Sequence, residues 1–135
     1  MNNLEELINQ YNHHYNAKAT AKQARRYWRE LVPELLEEVG ATKYEMASAI
    51  KDGAKSWPEH GDDKDAIRYL QSSMLACQQG GLECIVMRYL LDMTASEARD
   101  KLSLGRTQYY RLENDQLYKF AVAIIPEIGE MLLVK

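Results

Sequence analysis

Six consecutive residues, Arg106, Thr107, Gln108, Tyr109, Tyr110 and Arg111, bring two guanidinium groups, an amide, a hydroxyl and two phenols together. None of these is a nucleophile with a base beside it, and their common chemistry is hydrogen bonding. Arg grips guanine by two bonds and Gln grips adenine likewise, while a Thr or Tyr side chain reaches a base methyl or a phosphate. Tyr109, Leu112, Leu117 and Phe120 recur at the spacing of one inward helix face, which leaves Arg106, Thr107, Gln108, Tyr110 and Arg111 outward on the first two turns. Tyr109 and Tyr110 are neighbours on that helix, so only one of the two rings can be core. From Arg99 to Arg111 four basic residues (Arg99, Lys101, Arg106, Arg111) stand against one acidic residue, Asp100, in a chain whose net charge is -3. Arg99, Lys101 and Lys119 are therefore candidates for phosphate contacts. A second basic run lies between Ala17 and Arg29, where Lys18, Lys22, Arg25, Arg26 and Arg29 meet no acidic residue. Arg25, Arg26 and Arg29 join the phosphate candidates, with the alternative that they cover the edges of a core Trp28 with their alkyl stems.

Other chemistry finds little support. Cys77 and Cys84 have no pair of nearby His or Cys ligands, so both are taken as small helical residues, with no zinc site and no disulfide framework. His13 and His14 are adjacent and point about 100 degrees apart on a helix, so they cannot share a metal as an i, i+4 pair can. The chain has no Gly-x-Ser-x-Gly elbow, P-loop or Gly-rich dinucleotide turn, and no paired-carboxylate arrangement stands out. Neither an enzyme nor a cofactor is expected.

The elements that position the Arg106–Arg111 run are helical. Thr94 and Glu97 form a capping box that starts a short helix ending at Leu102; Ser103, Leu104 and Gly105 make the turn, with Leu104 plugging the core; and the long helix from Arg106 ends near Pro126. A helix that braces a second one across so short a turn is the geometry that places the second helix in a DNA major groove. The plainer alternative is ordinary helix packing with a solvated polar face.

Upstream, Leu4, Leu7, Ile8, Tyr11 and Tyr15 mark an amphipathic first helix to about Asn16. Thr20 and Gln23 suggest a capping box for a second helix that reaches Gly40, and Pro33 bends it or ends it early. Thr42 and Glu45 make a second capping box for a third helix that ends near Ala54, and Asp62 or Asp63 caps a fourth that ends at Gly80 and Gly81. Leu82 to Leu91 is strongly apolar. The expected organisation is a helical region over 1–56 for dimer or partner contact, a linker over 57–61, a helix-turn-helix domain over 62–125 and a tail over 126–135.

The run from Ile85 to Phe120, IVMRYLLDMTASEARDKLSLGRTQYYRLENDQLYKF, resembles the fourth conserved region of bacterial sigma factors. There an apolar helix ending near an Arg-aromatic pair precedes Thr-x-x-Glu, a turn, and then Arg, an aliphatic residue, Glu and Leu at the offsets that Arg106, Tyr109, Glu113 and Leu117 occupy here. More narrowly, YYRL followed by LYKFA is similar to the ArpU-type regulators of phages and prophages, short helical proteins that control late packaging or lysis genes. The resemblance covers about the last third of the chain. It departs at Arg99, where the family commonly has Gly or Ala at the closest approach of the two helices, and at Gly105, where Ser or Thr is the usual cap. It implies a sequence-specific DNA-binding regulator of transcription in a bacterial host's cytoplasm, with double-stranded DNA, and either RNA polymerase or a second copy of the chain, as partners. A phage assembly adaptor, akin to a small terminase subunit and lacking specific DNA readout, is the competing reading.

Whole-chain properties agree with an all-α fold: 135 residues, 46% apolar, only 7 Gly and 3 Pro. No run approaches the ~20 apolar residues a membrane span needs, and the amino terminus lacks a signal-peptide layout. No membrane partner is expected.

Overall fold

The computed structural model describes residues 15–135, and all regular structure in them is helical. The expectations for Leu4 to Tyr11 and for His13 and His14 lie outside the described residues. Helix α1 (Ala17–Arg26) runs into a π-helical turn (Tyr27–Leu31) and on into α2 (Val32–Val39). After these come α3 (Lys43–Asp52), α4 (Lys64–Gly80), the short α5 (Glu83–Ile85) with a second π turn (Val86–Leu90), α6 (Ala95–Lys101), α7 (Arg106–Ala123) and α8 (Ile125–Ile128).

Pro33 neither ends the helix nor forces a break. Pro33 has no N–H and its ring would collide with the carbonyl four residues back, so the chain widens just before it, where the Val32 N–H bonds the Tyr27 carbonyl five residues back. The cap of α1 is Asn16 rather than Thr20: the Asn16 side chain accepts the Ala19 N–H at 2.9 Å. Thr20 is buried inside α1, where its hydroxyl accepts the Val134 N–H at 2.9 Å. The 126–135 segment is thus no loose tail, since Leu132 is buried and Asn16 N–H also donates to Val134. Asp63, not Asp62, caps α4 through Oδ1; Thr42 caps α3, but Glu45 takes the Thr42 hydroxyl rather than its N–H, so the expected box is only half formed.

One large core draws on both sides of the expected 57–61 boundary. Trp28 of α1's continuation lies 5.0 Å from Phe120 of α7, ring centre to ring centre, and Tyr27 lies 5.4 Å from the same ring. Met46, Leu70, Met74, Leu82, Leu90 and Leu117 complete the same cluster. The 57–61 stretch is itself anchored, with Trp57 packed against this core and Pro58 buried. The division into two halves is therefore one of sequence and not of packing: among the described residues the amphipathic α1 packs chiefly against α7. A smaller cluster of Cys84, Met87, Ala98 and Tyr109, with Leu102, Leu104 and Leu112 against it, holds α6 to α7. No helix among the described residues is long and apolar enough to cross a membrane.

Candidate nucleic-acid interface

The bracing helix α6 begins as its sequence dictates. Glu97 N–H donates to Thr94 Oγ1 and Thr94 N–H donates to Glu97 Oε1, both at 3.1 Å, which closes the capping box. The Thr94 N–H, and after it the Thr94 hydroxyl, stabilise the charged form of the Glu97 carboxylate and hold its pKa below the ordinary value. At the other end Leu104 N–H bonds the Arg99 carbonyl and Ser103 N–H bonds the Asp100 carbonyl, the paired closure that satisfies the last carbonyls of a helix. That closure needs a left-handed residue, and Ser103 supplies it at φ 56°, whereas α2, α3 and α4 use Gly40, Gly53 and Gly81 for the same purpose.

Helix α7 starts at Gly105, which has no side chain to cap it. Gly105 N–H donates to Gln108 Oε1 at 3.3 Å, and the first helical bond is Tyr109 N–H to the Gly105 carbonyl. The N–H groups of Arg106, Thr107 and Gln108 are left for an outside acceptor, in the position where helix N-termini take phosphate oxygens. Arg106, Thr107, Tyr110 and Arg111 are exposed and make no side-chain hydrogen bond or ion pair with the described residues. They form two adjacent rows, Arg106 with Tyr110 and Thr107 with Arg111, one turn apart. Gln108 is exposed, but its carbonyl oxygen is engaged at Gly105, so its amide N–H groups are what it can present. Of the two tyrosines, Tyr109 is the core ring at 0% exposure and Tyr110 the outer one at 40%. The rings meet edge to face with centroids 5.6 Å apart.

The orientation of α7 is held by a polar cluster that the apolar pattern alone does not reveal. Glu113 is 1% exposed, and its Oε1 accepts Arg88 Nε–H and the Tyr109 hydroxyl, each at 3.0 Å. Its Oε2 takes Arg25 Nη2 at 3.4 Å, and the same guanidinium donates to Asn114 at 2.9 Å and to the Tyr89 hydroxyl at 3.3 Å. Burial, followed by the Glu113 charge and hydrogen bond, pushes the Tyr109 phenol far up, so it stays a donor. Burial opposes the Arg88 charge, and Glu113 outweighs it, so the Arg88 pKa rises. Gln116, also buried, accepts Cys84 N–H at 2.8 Å and so ties α7 to the start of α5. The signal for this cluster was a Glu and a Gln at i, i+3 on the inward face of α7, matched by Arg88 on the preceding apolar helix.

The phosphate candidates separate. Arg25 is turned inward, its Nε and Nη2 bound by Tyr89, Glu113 and Asn114, which leaves its side chain 24% exposed and mostly committed to holding α7. Arg26 is exposed and pairs with Glu30 at 3.4 Å, and the Arg29 guanidinium sits 5.8 Å from the centre of the Tyr89 ring. Arg99 is half-exposed and has no ion-pair partner among the described residues, and the residue buried against α7 is its neighbour Ala98, so the long side chain does not pry the helices apart. Lys101 is exposed beside Tyr44 and Leu102, on the side of α3. Lys119 is 13 residues beyond Arg106 on α7, roughly 20 Å along the axis, too far to share the same contacts. Comparison with family models, curated protein sequences and solved structures finds no match to this chain.

Proposed function

We propose that α6, the Ser103-centred turn and α7 act as a helix-turn-helix that binds double-stranded DNA, with the first two turns of α7 in the major groove. The observation that carries this reading is the division of α7. Its inner face is fully engaged by core and by the Glu113 cluster, while Arg106, Thr107, Tyr110 and Arg111 are exposed and make no side-chain hydrogen bond or ion pair with the described residues. Arg106 and Arg111 suit guanine, the Gln108 amide N–H groups can donate to a base acceptor, Thr107 and Tyr110 fit a base methyl or a phosphate, and the open N–H groups at the helix start fit a phosphate. Arg99, in the last turn of α6, is the phosphate contact that this reading assigns to the adjoining strand. The sigma-like pattern around Glu113 supports transcriptional control as the purpose of that binding.

Selection from a random duplex library tests the proposal. Recovery of a short shared motif by the wild-type chain, lost when Arg106→Ala and Arg111→Ala are combined, is the expected result. Recovery of no shared motif by the wild-type chain would contradict it.

A further inference from the structure

Two clefts flank the outer face of α7 and meet at Lys18 and Asn114. The larger, about 800 Å³, lies between α1 and α7 and is lined by Lys18, Lys22, Arg26, Arg29 and, from the reading face, Tyr110. The smaller, about 420 Å³, carries Lys18, Arg111 and Lys119 with a single acidic residue, Asp115. In the larger cleft Glu113 is already taken by Arg25 and Arg88, and Glu30 pairs only with Arg26 on the surface. Lys18, Lys22 and Arg29 thus face the cleft with no carboxylate partner among the described residues. With Arg26 they stand at i, i+4, i+8 and i+11 on one helix, a stripe of roughly 16 Å that can follow several consecutive phosphates of one strand.

The geometry points to this stripe as a second DNA contact: α1 holds the phosphodiester backbone of the same duplex whose groove α7 enters. The inference rests on the reading of α7 given above and adds to it. A single recognition helix touches few base pairs and needs a second basic element, a dimer or a larger partner. Here the Arg25 link to Glu113 and Asn114 fixes that element rigidly to the recognition helix within one chain. Backbone contacts of this kind set register and affinity without reading sequence.

The test is Lys18→Gln combined with Lys22→Gln in the full chain, because neither lysine makes a side-chain hydrogen bond or ion pair with the described residues; circular dichroism verifies that the variant folds. Affinity should fall alike for preferred and unrelated duplexes, and the slope of log affinity against log salt should become shallower by about 1 for each lysine removed. Lys18→Arg with Lys22→Arg should restore both. A wild-type chain that binds duplex, with a doubly neutralised variant matching it in affinity and salt slope, would overturn the second contact while leaving the α7 reading intact. A shallower slope in the variant of a wild-type chain that shows no sequence preference would support the α1 contact and reject groove reading. Absence of any duplex binding by the wild-type chain would overturn both.

Discussion

Glu113→Gln removes the charge at the centre of the cluster that orients α7 while keeping its shape. The carboxylate accepts from Arg88 and Tyr109 at 3.0 Å and from Arg25 at 3.4 Å. Breaking one side of a buried ion pair costs about 3–5 kcal/mol, because the remaining charge stays buried and uncompensated. Two features lower that figure here. The Arg25 and Arg88 side chains are 24% and 19% exposed, so water relieves part of the loss, and each keeps another acceptor, Asn114 and the Met93 carbonyl, at 2.9 Å. The amide oxygen of Gln also retains one acceptor for Tyr109. The expected cost is therefore about 2–3 kcal/mol, which at a urea slope of roughly 2 kcal/mol per molar lowers the midpoint by about 1 M. Urea unfolding followed by far-ultraviolet circular dichroism measures this. A midpoint within about 0.2 M of wild type, with an unchanged slope, would refute the argument that Glu113 is a buried anchor.

Three further outcomes follow from the same geometry. Ser103→Gly should stabilise the chain by about 0.5–1 kcal/mol, because Ser103 is held at φ 56° where a side chain is strained; a destabilised variant in urea melts would show that its hydroxyl or chain stiffness matters more. Thr20→Val strips the Val134 N–H of its acceptor, so a loss of about 1–2 kcal/mol and faster proteolytic trimming of the carboxy terminus are expected, and trimming at the wild-type rate would argue against that tether. Burial pushes the Cys84 thiol up to about 12 and raises the Cys77 thiol as well, so the folded chain should resist iodoacetamide at mildly alkaline pH and react only when unfolded; mass spectrometry showing prompt labelling of the folded chain would contradict their burial.

The elements were legible where local chemistry dictates them. Thr94 with Glu97, Thr42 as a cap, and glycines at the helix ends mark boundaries because each satisfies orphan backbone groups within a few residues. The inward and outward faces of α7 were legible too, since Tyr109, Leu112, Leu117 and Phe120 follow the helical period. What periodicity could not supply was partnership across long sequence distances. Arg25 belongs with Glu113, 88 residues away, and nothing local distinguishes it from Arg26, which points outward. The expected 57–61 boundary misled because breaks in helical pattern report turns, whereas domain division depends on which faces bury each other. Thr20 likewise looks like a cap in isolation, and its role depends on the return of Val134, 114 residues later.

The central claim is tested most directly by fluorescence anisotropy of a labelled duplex carrying the selected motif, across a salt series, with wild-type chain and the Arg106→Ala/Arg111→Ala variant. The wild-type chain should bind tightly, with salt sensitivity and selectivity for the motif, and the folded variant should have lost its preference for the motif over unrelated duplex. Equal motif preference in both proteins, or no duplex binding by the wild-type chain, would contradict it.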